Sequence, residues 1–221
     1  MEAFRAQFLN VDIMVQAWPI LLSGLGMTAL ICVIVIPLGL VGGLVAALAS
    51  LSANPAIRWT AIAFVDLFRA IPPLVLLIFV YSGLPFAGLR LSPLEAVATG
   101  FLLNNAAYYG EVYRAGILSV GKGQSEAARS TGLTSAQTLA HVVLPQAVRN
   151  VLPDLISNTV EVVKLTSLAS VVSLAELLYS ADMARSVTYN ASPIVAAAGL
   201  YLVILWPLVR LVSRLERRAV L

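Results

Sequence analysis

The sequence predicts an all-α membrane protein of five spanning helices, with a short cytoplasmic helix between the third and the fourth. Three observations predict it. Of 221 residues, 60% are apolar and 11% charged, where a soluble domain carries about 25% charged residues. The apolar residues gather in runs that reach the roughly 20 residues a bilayer crossing needs. The basic residues gather in the gaps between alternate runs. This composition excludes disorder and a disulfide scaffold. The single cysteine, Cys32, lies inside an apolar run and builds neither a disulfide nor a thiolate metal site. The net charge of +3 does not indicate nucleic acid, because the basic residues form no patch interleaved with aromatics. The length suits one domain, residues 1–221.

No charged residue lies between Asp12 and Arg58, which is too long a stretch for one straight span. Trp18-Pro19 predicts a short interfacial segment first, since Trp favours the headgroup level and Pro suits a helix start. The span proper then covers residues 26–50. Gly39, Gly42, Gly43, Ala46 and Ala47 give it a small-residue face of the kind that admits a close helix neighbour. A cleaved signal peptide is not indicated, because Glu2, Arg5 and Asp12 do not make a basic leader. The second run, residues 56–84, carries Asp66, Arg69 and the Pro72-Pro73 pair. The third, residues 93–118, opens on Ser92-Pro93 as cap and first-turn proline. It contains Asn104, Asn105, Tyr108, Tyr109, Glu111 and Arg114.

The fourth run, from Gln146 to Ser180, would reach about 50 Å as one helix. Its reading is a span over residues 146–165, a break at Leu165 to Ser167, and a short second helix. The fifth covers residues 192–209 and ends in the basic tail Arg210, Arg214, Arg217 and Arg218. With the N-terminus outside, nine basic residues fall on the inner side, three outside (Arg5, Arg90 and Arg185) and two, Arg69 and Lys164, within spans. The positive-inside rule therefore places the N-terminus outside and the C-terminus in the cytoplasm.

That orientation makes residues 119–144 the largest inner loop. Ser125 or Gly123 caps a short helix there, and Gly132 ends it as a C′ glycine does. Leu133 and Thr134 restart the chain, and a second helix runs into Leu144-Pro145. On physics alone the first helix either spans the cytoplasmic mouth for a purpose or rests on the headgroups.

The series Glu126-Ala127-Ala128, three residues, Gly132, nine residues, Val142-Val143-Leu144-Pro145 resembles the "EAA" signature of bacterial ATP-binding-cassette importer permeases. The family prefers Ile where this chain has Val142. Asp66-Leu67-Phe68-Arg69-Ala70-Ile71-Pro72 resembles the family's acidic-x-x-Arg-x-x-Pro segment, and residues 108–117 resemble the stretch leading to the loop. Gly123-Gln124 before Glu126 is similar to the polar amino-acid subfamily, the histidine, glutamine and arginine permeases. Glu161 to Leu168 resembles that subfamily's Lys-Asp-Thr-Ser-Leu element, with Leu165 where an Asp is usual.

The resemblance implies a type I importer core in the bacterial inner membrane, with a second permease subunit, identical or homologous. It further implies two ATP-hydrolysing subunits at the cytoplasmic face and an extracytoplasmic solute-binding protein. It assigns contact with the ATPase to Gly123, Glu126, Ala127, Ala128, Gly132, Leu144 and Pro145. Small Ala and Gly residues permit close backbone approach, and Glu126 can act as a helix-start carboxylate or pair with a basic partner residue. ATP and Mg belong to the partner. The Gly121-Lys122-Gly123 run is no phosphate-cradling loop, so this chain is expected to be non-catalytic and free of cofactors. One histidine, His141, makes no metal site by itself.

Three acid-first pairs stand three residues apart inside spans: Asp66/Arg69, Glu111/Arg114 and Glu161/Lys164. Each lies on one helix face and can neutralise itself, as embedded charges normally do against protein or water. Asp66/Arg69 and Glu111/Arg114 are read as structural ion pairs. Glu161 and Lys164, with Asn104, Asn105 and Thr166, are candidates for the path of a zwitterionic solute. The functional reading is a permease subunit that forms the path for a polar amino acid. A permease of the same architecture for an opine, a compatible solute or an amino-acid derivative is the alternative. A self-sufficient secondary transporter or channel would leave the long inner loop without a role.

Overall fold

The computed structural model describes residues 1–219, with the side chains of residues 216–219 outside the description; Arg217 and Arg218 of the inner charge count are among these. Eleven α-helices, joined by short 3₁₀ and π segments, account for the ordered structure, and no strand occurs among the described residues. Two compact units are present. The first comprises Met1–Ile36, Pro72–Phe101 and Val160–Val209, and the second Pro37–Ile71, Leu102–Thr159 and the stretch from Arg210 on.

Helix α1 (Glu2–Phe8) ends at Leu9, and α2 (Val11–Ser50) starts under the Asn10 carboxamide, whose oxygen accepts the Ile13 N–H at 3.2 Å. The expected break at Trp18-Pro19 does not occur. A proline removes a single backbone bond, which a membrane helix tolerates, so α2 continues through it and the short leading segment is α1 instead. Four hydrogen bonds hold α1 and the start of α2 to the turn before the last helix, one of them from the Ala191 N–H to the Gln7 carbonyl (3.0 Å). Gln7 Nε2 donates to the Tyr189 carbonyl (3.2 Å), Asn190 Nδ2 to the Ala6 carbonyl (2.8 Å), and the Asn10 N–H to Ser192 Oγ (2.9 Å).

Helix α3 (Pro55–Ala70) has a proline in its first turn and Asn54 as cap, its Oδ1 accepting from the Ala56 N–H at 2.9 Å. It stops at Ile71, because Pro72 and Pro73 offer no N–H. Helix α4 (Pro73–Ile78) follows, then a π segment Phe79–Gly83 and a 3₁₀ turn Leu84–Ala87 that closes on Gly88 at φ 85°. The run read as one span over residues 56–84 is thus bent by 101° at its proline pair. Helix α5 (Pro93–Ser119) starts with the expected Ser92 cap. Glu95 reinforces it, its Oε2 accepting both the N–H and the Oγ–H of Ser92 at 2.8 Å.

The inner loop folds as α6 (Lys122–Ser130), α7 (Ser135–Thr138), a π segment Leu139–Val143 and α8 (Leu144–Asn150). Helix α6 begins at Lys122 behind Gly121, ahead of the Gly123 or Ser125 start expected from capping, and has no side-chain cap. Helix α9 (Leu152–Leu165) runs into a 3₁₀ segment Thr166–Val172, which is the expected break. The expected short second helix is α10 (Leu177–Thr188), and α11 (Ser192–Ala219) is the last helix among the described residues.

Among the described residues three stretches are long and apolar enough to cross a membrane: Glu2–Ser50, Leu152–Val172 and Ser192–Leu215. The bent α3–α4 pair makes a fourth. Helix α5 has 27 residues but carries Asn104, Asn105, Glu111 and Arg114, and is not among them.

Each unit has its own core. In the first, Ala17 and Leu21 of α2 pack with Leu177 and Ala181 of α10 and Ala197 of α11. In the second, the glycine face of α2 meets α5. A Cβ on Gly43 would fall 2.5 Å from the Tyr109 Cβ and 2.8 Å from the Gly110 nitrogen, and one on Gly42 would lie 3.1 Å from the Ala106 Cβ. The small-residue face therefore serves a neighbour within the same chain. Tyr109, fully buried in this seam, shares a 2.8 Å hydroxyl bond with Thr159 of α9.

Candidate functional site

The inner loop is built to show one face of α6. Ala128 is buried, whereas Gly123, Glu126 and Ala127 are exposed. Side chains close the end of the helix. Ser130 Oγ donates to the Glu126 carbonyl (2.9 Å), Thr131 Oγ1 to the Ala128 carbonyl (2.8 Å), and Arg129 reaches the Leu133 carbonyl (2.8 Å). Gly132 then takes φ 91°, a left-handed conformation that a glycine adopts freely. Thr134 opens the next turn in a reciprocal capping box with Gln137. These features fix the register, so the Glu126-Ala127 surface faces outward as a defined shape. Leu144 and Pro145 form the first turn of α8.

The loop is fastened to α5. Asn150 Nδ2 of α8 donates to Ser119 Oγ at 2.8 Å, and Gly116 leaves no room for a Cβ, which would sit 2.9 Å from the Ala147 carbonyl oxygen and 3.0 Å from both Val151 methyls. Gln146 donates to the Val142 carbonyl at 2.8 Å and reaches Gln124 at 3.5 Å. Beside α6 a groove of about 560 Å³ is lined by Lys122, Glu126 and Arg129 on one side and Leu139 and Val143 on the other.

The charged residues divide differently from their sequence spacing. Glu111 and Arg114 pair as expected, with Arg114 Nε 2.9 Å from Glu111 Oε2 and its Nη2 on Oε1. Asp66 and Arg69 do not pair. Arg69 instead turns to Glu111 across the helices at 3.8 Å and lies over the Tyr108 ring, 5.7 Å from its centroid. The physical reason is packing: α3 against α5 sets the Arg69 guanidinium over the Tyr108 ring with Glu111 Oε2 beside it. Among the described residues Asp66 joins no ion pair. All four line a 300 Å³ pocket of the second unit together with Ser50 and Gly110.

The expected solute-path residues fall in two units, Glu161, Lys164 and Thr166 in the first and Asn104 and Asn105 in the second. Glu161 and Lys164 pair at 2.6 Å on α9 with about half of each side chain exposed, 57% and 49%. Thr166 is fully buried and donates to the Val163 carbonyl at 2.7 Å. Asn104 and Asn105 belong to the second unit and are buried, 1% and 2% exposed. Asn104 Nδ2 donates to the Phe68 carbonyl at 3.0 Å.

Sequence reasoning missed Glu176. Its fully buried carboxylate caps α10, accepting the Leu178 and Tyr179 N–H groups at 2.8 Å and the Tyr201 hydroxyl at 3.1 Å. Thr28 Oγ1 of α2 accepts the Leu177 N–H at 3.2 Å. An embedded acid directly before the apolar restart Leu177-Leu178 carries the signal of a helix cap.

Comparison with known proteins agrees with this architecture. Residues 39–220 match the family described as the binding-protein-dependent transport system inner membrane component. The chain is 36% identical to the probable glutamine ABC transporter permease protein GlnM of Bacillus subtilis (strain 168), covering 95% of this chain and 98% of that one. It is 35% identical to the glutamine transport system permease protein GlnP of Escherichia coli (strain K12), over 91% and 94% of the two chains. The fold superposes with a TM-score of 0.84 on a chain from the crystal structure of an amino acid ABC transporter with histidines, at 35% identity over 93% and 96% of the chains. The chain belongs to the binding-protein-dependent transport system inner membrane components, the multi-pass permease subunits of ABC importers.

Proposed function

We propose that this permease imports a polar amino acid and is driven through α6 by ATP-hydrolysing partners. The observation that carries the coupling part is the fixed, outward Glu126-Ala127 face, which Gly132 and the Thr134–Gln137 box hold in register. A small, rigid knob with one carboxylate fits a groove on a partner and passes on a rigid-body motion. The solute class follows the relatives, two of which are named for glutamine and cover more than nine-tenths of both chains.

In the proposed arrangement the chain crosses the bilayer five times. The spans are α2, the bent α3–α4 pair, α5, α9 with its 3₁₀ extension, and α11. Helix α5 is long enough at about 40 Å, and its Glu111–Arg114 pair neutralises itself. The N-terminus lies outside and the C-terminus in the cytoplasm, following the charge asymmetry. A second permease chain, two ATPase subunits holding ATP and Mg at the inner face, and an extracytoplasmic binding protein complete the assembly. Gly123, Glu126, Ala127, Ala128 and Gly132 form the ATPase contact, with Leu144 and Pro145 supporting it from α8. The exposed Glu161–Lys164 pair borders the solute path, where its two charges complement an amino acid's ammonium and carboxylate. Asn104, Asn105 and Thr166 support the helices from buried positions.

The test is reconstitution with the co-encoded ATPase and binding protein in proteoliposomes, using labelled glutamine, histidine and arginine. Uptake is expected to require ATP inside the ATPase compartment and the binding protein on the opposite side. Uptake driven by an ion gradient without the ATPase would overturn the reading.

A further inference from the structure

The end of α3 has a hydrogen-bond deficit written into the sequence. In an uninterrupted helix the Phe68 carbonyl would accept from the N–H of residue 72, and residue 72 is proline. Asn104 of α5, 1% exposed, supplies the missing donor at 3.0 Å. One residue on, Arg69 lies over the Tyr108 ring and 3.8 Å from Glu111. Asn104, Tyr108 and Glu111 are four and three residues apart and form one stripe of α5. The last turn of α3, just before the bend, is therefore held at three points on a single helix face.

The same helix runs unbroken to Ser119, and α6 begins at Lys122. Its last turns are closed on α8 by the Asn150–Ser119 bond and the Gly116 contact with Ala147 and Val151. Packed interiors are stiff, so the inner loop that carries α6 is tied to α5 through these contacts and the two-residue link between them. At Ile71–Pro73 the chain has no continuous helical bonding to resist a change of angle, which is where a helix yields most easily.

We propose that Asn104, supported by Tyr108 and Glu111, is the contact through which displacement of α6 reaches the bend at the end of α3. Asn104 is a positioning residue and not a ligand of the solute. The inference rests on the docking of α6 to an ATPase. It is tested in proteoliposomes holding the full complex, by the amount of solute imported per ATP hydrolysed.

Asn104→Leu keeps the volume and removes the donor. The complex is expected to assemble and hydrolyse ATP in response to the binding protein, with import per ATP reduced about tenfold. Arg69→Gln keeps the Asn104 bond and leaves Glu111 paired to Arg114, and its expected loss is about threefold. A reduced import per ATP in either assembled variant supports the proposal. An unchanged ratio in every variant that assembles overturns it, including the case in which Asn104→Leu fails to fold and Arg69→Gln transports normally. An ATPase that does not co-purify with the wild-type chain brings down the docking reading instead, and this inference with it.

Discussion

Glu111–Arg114 and Glu161–Lys164 have the same spacing, the same order of charges and the same helical setting, and the structure uses them in opposite ways. Glu111 is braced by two guanidiniums, Arg114 from its own helix and Arg69 from α3, and is 28% exposed. Glu161 has Lys164 alone, and both are about half exposed. A carboxylate shared between two helices sets their relative position. A carboxylate paired only with its neighbour sets nothing beyond its own helix turn, where such a pair contributes about 0.2–1 kcal/mol when water reaches it. The second pair therefore ties down no other helix, and the first does.

Four experiments probe this contrast. The largest effect is expected from unseating α5, which carries the braced group. Gly43→Leu drives a side chain into Tyr109 and the Gly110 backbone, where even a Cβ would lie 2.5 Å from its neighbour. Overpacking of this kind costs about 3 kcal/mol, and size-exclusion of the detergent-solubilised complex should show little folded material. Wild-type yield and melting temperature would remove the α2–α5 seam from the account.

Next is Glu161→Gln combined with Lys164→Met, which removes both charges together. Assembly and melting temperature are expected to stay near wild type while uptake falls about tenfold or changes its preferred amino acid, as loss of a charged contact with solute would require. A lower melting temperature with unchanged transport per folded complex would make this pair a clamp like the other. Glu111→Gln reverses the pattern. Arg69 and Arg114 lose their common partner, and stability should fall by about 2 kcal/mol, read as a drop in melting temperature, with solute preference unchanged. The smallest effect is that of Asp66→Asn. It breaks no ion pair among the described residues, so the change should stay within about 0.5 kcal/mol. A large loss would show that Asp66 takes part in the brace.

Much of this was legible in the sequence because it depends on local order. The Ser92 cap, the Gly132 stop, the Thr134 restart and the break after Leu165 follow from residue types within a few positions of one another. The glycine face of α2 also announced a close neighbour, though not that the neighbour would be α5. What escaped depends on helix rotation. Spacing pointed to Asp66 as the partner of Arg69, and only the packing of α3 on α5 brings Glu111 to it instead. The bond of Asn104 could not be read from the sequence, because its partner, the carbonyl left over by Pro72, is 36 residues away. Glu176 went unremarked because its role needs three helices to be assembled, with Thr28 and Tyr201 brought beside the start of α10. Continuity through Pro19 was hidden for a simpler reason: proline weakens a helix locally, and the length of the apolar run decides whether the helix ends.

Coupling of α6 to an ATPase is best probed by added bulk and charge on its exposed face. Gly132→Arg tests the same contact but also forces a side chain onto a backbone at φ 91°. Ala127→Arg is cleaner, since Ala127 is exposed on a regular helix and its substitution leaves the fold alone. The measurement is ATP-dependent uptake together with ATPase recovery when the complex is purified through this chain. Normal membrane insertion, loss of the co-purifying ATPase and uptake reduced by about a hundredfold are expected, as a charge forced into a tight contact would cause. Wild-type uptake with the ATPase still bound would contradict the coupling.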